Sequence, residues 1–317
     1  MSLQYHLYGL ADGNPYVHRE LNPLATPADD GRLLGLNGFV ERNDALSYLQ
    51  GRKDSRRPAF VLVGGRNLTG RTSVANWILH SYFEAREAQG RFLAVYVPVK
   101  DQATFSWLRK AIARLWSDLP DTPGLTLTQD ILDRLEKCLT YTAADPFEEL
   151  FQAALRALSI ELTSRKYTIG VVFEGIRDAE FIASAKTVFE RSEAVVVFTY
   201  DDYEHAQTTD AKGFRAVQFD DMLHLYLEPL KSRQVSLLAK SRWTDASALA
   251  FPFEDLALEK IYEDNRTPIK KVLKRLEEFL DYKLRITPPD AAAWPGNHDL
   301  FMSGQWLVPT FNIIDRA

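Results

Sequence analysis

The residues most able to do chemistry run together as Gly65-Arg66-Asn67-Leu68-Thr69-Gly70-Arg71-Thr72-Ser73. They follow the apolar run Ala59–Val63 and open a helix-patterned segment, the setting that a G-x-x-x-x-G-K-[ST] loop requires. Glycines let successive backbone N–H groups turn inward around phosphate oxygens, and the following helix start adds partial positive charge. A hydroxyl at the position of Thr72 suits Mg²⁺. Gly65, Gly70, Arg71, Thr72 and Ser73 are the phosphate-binding candidates, and Thr72 is also a metal candidate. One residue departs from the pattern: Arg71 stands where lysine belongs. Charge is kept, but a planar guanidinium replaces a compact ammonium. A strand–helix turn that binds nothing reads the same way, so the residues alone leave both open.

Elements that would position this loop alternate along the chain. Ala59–Val63, Phe92–Val99, Thr168–Phe173, Ala194–Tyr200 and Leu223–Leu227 read as strands, several apolar throughout as strands buried on both faces are. Helical spacing covers Glu41–Gln50, Ser73–Gln89, 104–116, 129–140, 146–164 and 179–191. Such alternation predicts an α/β fold, a five-stranded parallel sheet flanked by helices. From 231 to 285 the pattern is helical only and predicts a small all-helical lid. The chain thus parses as an irregular N-terminal arm (1–38), a core (39–230), the lid (231–285) and a Pro- and Trp-containing tail (286–317). Glycines and prolines punctuate the arm and predict a segment without a periodic face to bury. Trp294, Phe301, Trp306 and Phe311 in the tail predict an ordered wrap or docking arm.

The chain has 317 residues with 46% hydrophobic and 26% charged, a globular composition that excludes collagen, wholesale disorder and coiled coil. Acidic residues outnumber basic ones 43 to 38, so no global positive field favours nucleic acid or anionic lipid. Cys138 is the lone cysteine, which rules out an internal disulfide and a multi-cysteine zinc site. Apolar strings are far shorter than a membrane span, and a cytoplasmic location is the expectation. Six histidines are scattered without ligand spacing. Asp201, Asp202, Glu204 and His205 read as an acidic loop, and Arg52–Arg57 and Lys270–Arg275 as solvated basic faces.

With these motifs in place, the sequence resembles the AAA+/STAND branch of P-loop NTPases over residues 9–285, the branch of origin-recognition, transposition and signalling ATPases. Asn14-Pro15, then Gly38-Phe39-Val40-Glu41-Arg42, is similar to the N-terminal box that sits near adenine in that family. Val171-Val172-Phe173-Glu174-Gly175-Ile176-Arg177-Asp178 is similar to its Walker B strand, which implies Glu174 on the Mg²⁺ side and Asp178 as the catalytic acid, with Arg177 a reversal of charge. Val195–Thr199 resembles the sensor-1 strand, implying that Thr199 touches the γ-phosphate. Leu227-Glu228-Pro229-Leu230 resembles the entry to the lid, and Asn265-Arg266-Thr267-Pro268 stands where a sensor-2 G-x-P-R belongs, implying Arg266 or Lys270 as a phosphate contact.

The resemblance implies ATP or ADP with Mg²⁺ as ligands if the loop is live, and none if it is not. Because the lysine, the Walker B aspartate, its neighbouring acid and the sensor-2 arginine are all altered, the expectation is a pseudo-ATPase. Its role would be a regulatory or scaffolding subunit that meets protein partners or itself, holding nucleotide statically or not at all. The alternatives are an active switch that oligomerises with Mg-ATP and a DNA-associated AAA+ protein, the latter disfavoured by the acidic balance.

Overall fold

The computed structural model describes residues 4–16, 19–34, 42–85, 92–99, 104–119, 122, 125–143, 146–177, 179–201, 221–263, 266–288 and 290–314. The chain divides into two compact units. Glu41–Gly65 and Val74–Leu227 form a sheet unit; Met1–Val40, Arg66–Ser73 and Glu228–Ala317 form a helical unit.

In the sheet unit, β1 (Ala59–Gly65), β2 (Phe92–Pro98), β3 (Thr168–Glu174), β4 (Ala194–Asp201) and β5 (Leu223–Leu227) make a parallel sheet in the order β2-β3-β4-β1-β5. The three inner strands, β1, β3 and β4, are buried along nearly their whole length, as their unbroken apolar runs require. At the edge, β2 alternates between buried and half-buried positions because only one of its neighbours is a strand. Helices α4 (Thr104–Asp118), α5 (Gln129–Thr140), α6 (Phe147–Ser164) and α7 (Ala179–Phe189) share a core with one face of the sheet. That core centres on Trp107, whose ring meets Phe173 edge-on at 5.0 Å and Phe181 at 4.4 Å. Its indole N–H is buried without a hydrogen-bond partner. Trp107→Ala is therefore expected to destabilise by about 3 kcal/mol in urea unfolding, the lower end for a buried tryptophan, because the orphaned donor goes with it. Trp107→Phe, which keeps most of the volume and drops that donor, is expected to stay within about 1 kcal/mol of wild type.

The helix expected over Glu41–Gln50 runs as α2, Arg42–Asp54, and absorbs the start of the basic stretch. Arg52 is buried on it, lies over the Tyr48 ring at 5.0 Å and pairs with Asp221. This arginine belongs to the fold and not to a basic groove. In the second basic stretch Lys274 is exposed and pairs with Glu278, but Arg275, expected on the same solvated face, is largely buried over the Phe311 ring at 5.3 Å as well as pairing with Glu278.

The helical unit packs the helices Ser232–Ala246, Asp255–Ile261, Ile269–Ile286 and Gly304–Ile314 around one core. The N-terminal segment departs from the irregular arm expected of it. It forms a 3-10 turn, Tyr5–Tyr8, and the helix α1, Asp29–Leu34, and it buries Leu7, Tyr8, Leu10 and Tyr16 in this core. Its tyrosines have no sequence periodicity to advertise them, but each buried hydroxyl finds a carbonyl: Tyr8 donates to Leu300 at 2.6 Å and Tyr16 to Ala239 at 3.2 Å. The tail is likewise built inward. Trp294 stacks on Phe301 at 5.8 Å and donates its indole N–H to Ala250, while Phe311 meets Phe279 and Tyr262. Those aromatic side chains pack on their own chain and are not free as docking arms.

Candidate functional site

Beyond Gly65, where φ is +152°, the chain enters the loop Arg66–Ser73, which packs within the helical unit. Leu68 and Gly70 both adopt left-handed backbone, φ +69° and +93°, with Thr69 between them outside that region. Alternating hands of this kind can make a nest for an anion, to which the Thr69 N–H does not contribute because it donates to the Arg66 carbonyl. For leucine the conformation costs about 1–2 kcal/mol, a strain that glycine would not carry. Thr69 braces the turn: its hydroxyl donates to the Arg66 carbonyl at 2.7 Å and its N–H to the same oxygen at 3.3 Å.

Two further contacts hold the loop. The Leu68 carbonyl accepts from the Lys270 N–H at 3.2 Å, one of the unfilled donors at the start of the helix Ile269–Ile286. A β-carbon at Gly70 would lie 3.6 Å from Ile269, ordinary contact, so space does not demand glycine there; φ does. Ser73, the last loop candidate, accepts from the Leu21 N–H at 3.0 Å and so ties down the N-terminal segment. Thr72, one residue earlier, is partly exposed, and its hydroxyl has no hydrogen bond among the described residues. Arg71 is partly exposed at the first position of its helix, α3, Arg71–Ala85. The groups this loop could offer a phosphate are backbone donors at the helix start, and Thr72 is the hydroxyl it could offer a Mg²⁺ ion.

The strand-end candidates belong to the sheet unit. Glu174 closes β3 directly beside Thr199 of β4, and Thr199 in turn stands beside Val63 of β1. Parallel sheets bind ligands off these carboxyl ends. Thr199 is buried, and its hydroxyl oxygen accepts from the Gly175 N–H at 3.3 Å; its carbonyl accepts from the Ile176 N–H at 2.9 Å. The Glu174 carbonyl accepts from the Val99 N–H at 2.8 Å. The turn after β3 is thus stitched to both neighbouring strands, and Glu174 itself is partly exposed. Arg177 is exposed beyond it. Asp178 lies outside the described residues, as do Gly38–Glu41 of the N-terminal box, Asn265, and Asp202, Glu204 and His205 of the acidic loop.

Arg266 is exposed and pairs with Glu228 at 3.1 Å. Lys270 also has an exposed side chain; what it brings to the loop is its backbone N–H. Among the described residues no group of His, Cys, Asp and Glu side chains is arranged to hold a metal. Cys138 is fully buried, and burial pushes its thiol up to about 11. Its thiolate is therefore scarce below that pH, and the folded protein is expected to resist alkylation at pH 8 at least tenfold better than the urea-unfolded chain.

Two features had no advance signal in the sequence. Tyr200 reaches from β4 across Gly64 of β1, and its hydroxyl meets His224 Nε2 of β5 at 2.9 Å. Asn76 of α3 is buried and accepts from the Tyr96 hydroxyl at 2.7 Å. Both are cross-element pairs that no local spacing announces.

No protein-family model matches the chain, and no curated protein is similar to it at a significant level. Among solved structures it is similar to the Drosophila ORC bound to DNA, at 13% identity and a TM-score of 0.48 over 90% of this chain and 66% of that one. It is also similar to an E. coli MS115-1 HORMA:CdnC:Trip13 complex, at 13% identity and a TM-score of 0.44 over 89% of this chain and 90% of that one. A Walker-type ATPase of Pyrococcus abyssi has 13% identity and a TM-score of 0.44, over 87% and 72%. The chain therefore spans just under two thirds of the Drosophila chain's length. No helix among the described residues is long and apolar enough to cross a membrane. The chain thus has an α/β fold: a parallel sheet in the order β2-β3-β4-β1-β5 with a phosphate-type loop after its first strand and a helical portion after the last.

Proposed function

We propose that the protein binds a nucleoside triphosphate or diphosphate with Mg²⁺ and holds it with little or no hydrolysis, serving as a regulatory or scaffolding subunit of a protein assembly. The observation that carries this reading is the loop itself. Left-handed backbone is held at Leu68 and Gly70, and at Leu68 it falls on a leucine, for which it is strained. Strain held in a loop between a strand and a helix start supports the reading of an anion site.

Hydrolysis needs more than binding. Glu174 replaces an aspartate, Arg177 puts a positive charge beside the expected acid, and the Thr199 hydroxyl oxygen already serves the Gly175 N–H. Loss of a positioned base typically lowers rates by about 10²–10⁴, and loss of a charge clamp on the phosphoryl group by a comparable factor. Bound Mg²⁺ would supply charge neutralisation at the phosphate oxygens, and from the loop Thr72 would hold it. Apolar surface in the helical unit supports a protein partner: Leu256 is 75% exposed and Ile313 58%.

The test is the melting temperature with and without excess Mg-ATP, Mg-ADP and EDTA. A ligand at about 100 times its Kd stabilises by about 2.7 kcal/mol, which moves the midpoint of a chain this size by several degrees. A shift with either nucleotide that Arg71→Ala reduces is expected. No shift with any nucleotide would refute the reading.

A further inference from the structure

The helical unit holds a second group of positive charge that the phosphate loop does not use. Arg242, on the helix Ser232–Ala246, is only 5% exposed. Its Nε is buried with no hydrogen-bond partner. Burying a cation in this way costs several kcal/mol unless something compensates it. Its electrostatic neighbours are Arg32, Asp245, Asp29 and Arg19. Two of those four are also cations.

The buried acid among them is already engaged. Asp29 is fully buried and takes Arg19 in a two-pronged bond, at 2.6 and 2.5 Å, together with the Asn22 N–H at 2.9 Å. Arg32 stands 4.0 Å from the same carboxylate. Burial would raise the Asp29 carboxyl, but the Arg19 bond, the Asn22 N–H and the two arginine charges outweigh it, and the net movement is downward. Asp245 is exposed on the same helix as Arg242, where water screens it. The cluster therefore keeps an uncompensated positive charge around a buried guanidinium, whose pKa burial depresses to about 10.

We propose that Arg242, Arg32 and Arg19, set around Asp29, form an oxyanion-binding site specific for a phosphoryl group, distinct from the loop Arg66–Ser73. Guanidinium forks suit tetrahedral phosphoryl oxygens through paired N–H bonds, and a dianion matches the excess charge better than a single carboxylate does. Asp29 acts as the positioning residue that fixes Arg19 and draws in Arg32. None of these residues belongs to the phosphate loop, although Leu21 ties the same N-terminal segment to Ser73, and the Arg71→Ala background below separates the two readings.

The experiment uses the full chain carrying Arg71→Ala, which weakens the loop, and titrates inorganic phosphate at constant ionic strength with calorimetry and melting as readouts. Phenyl phosphate is titrated in parallel to tell a free anion from a phosphate monoester as the natural occupant. Saturable binding is expected, lowered at least tenfold by Arg32→Gln and abolished by Arg242→Met. Arg32 is partly exposed, so Arg32→Gln should fold and decides the matter if Arg242→Met does not. Binding unchanged in both variants, no saturable binding in the Arg71→Ala parent, or an Arg242→Met protein more stable than that parent in phosphate would overturn the site.

Discussion

Gly64→Ala is expected to destabilise the protein by at least about 3 kcal/mol, lowering the melting temperature by roughly 6–12 °C. A β-carbon there would lie less than 3.0 Å from three atoms of the Tyr200 ring, closer than real β-carbons approach anything. That ring has nowhere to go. Tyr200 is fully buried, neighbours Gly64 in the sheet register and is anchored through its hydroxyl to His224. The cause can be isolated by a double-mutant cycle. Tyr200→Ala alone leaves a cavity and should lose about 3 kcal/mol; in the Gly64→Ala background it removes the clash and should lose much less. A coupling of about 2 kcal/mol is expected from chemical unfolding of the four proteins. Additive losses would mean that the ring does not press on β1, and the account of the strand end would be wrong.

The second large effect concerns the loop, where two substitutions should act with opposite signs. Gly70→Ala has room for its methyl group, but it must hold a left-handed backbone at φ +93°. It is expected to weaken nucleotide binding at least tenfold, equivalent to about 1.4 kcal/mol, since the nest survives only at that price in strain. Leu68→Gly removes existing strain at φ +69° and should leave binding unchanged or tighten it severalfold, even though glycine adds freedom to the unfolded chain. Titration of a fluorescent nucleotide into both variants reads the two outcomes. Equal losses from both would show that the Leu68 side chain, and not the backbone hand, is what the ligand needs.

How far this was legible in the sequence depended on where each signal lived. β1, β3 and β4 announced themselves because inner strands bury both faces, so Ala59–Val63, Thr168–Phe173 and Ala194–Tyr200 had to be apolar throughout. The loop was legible because two glycines, a cation and a hydroxyl at fixed spacing follow such a strand. Leu68 was not, since leucine gives no hint of a left-handed backbone; only the fold imposes it. The N-terminal segment was misjudged for a related reason. Tyr8 and Tyr16 are buried by partners some 220–290 residues away, so no local period betrays them. The tail's aromatic residues left an ordered wrap and a docking arm both open, because sequence shows that a surface must be covered without showing by what; Trp294, Phe301 and Phe311 pack on their own chain. Arg242 is a single arginine in an ordinary amphipathic helix, and its burial is a tertiary fact.

The central claim is that nucleotide is held and not turned over. It is tested most directly by mixing the purified protein with a stoichiometric amount of Mg-ATP, removing unbound ligand, and identifying the bound nucleotide over several hours. The account predicts that nucleotide is retained and that ATP stays ATP, with conversion slower than working ATPases by about 10² or more. Rapid conversion to ADP that Glu174→Gln abolishes, or a protein that retains no nucleotide at all, would contradict it.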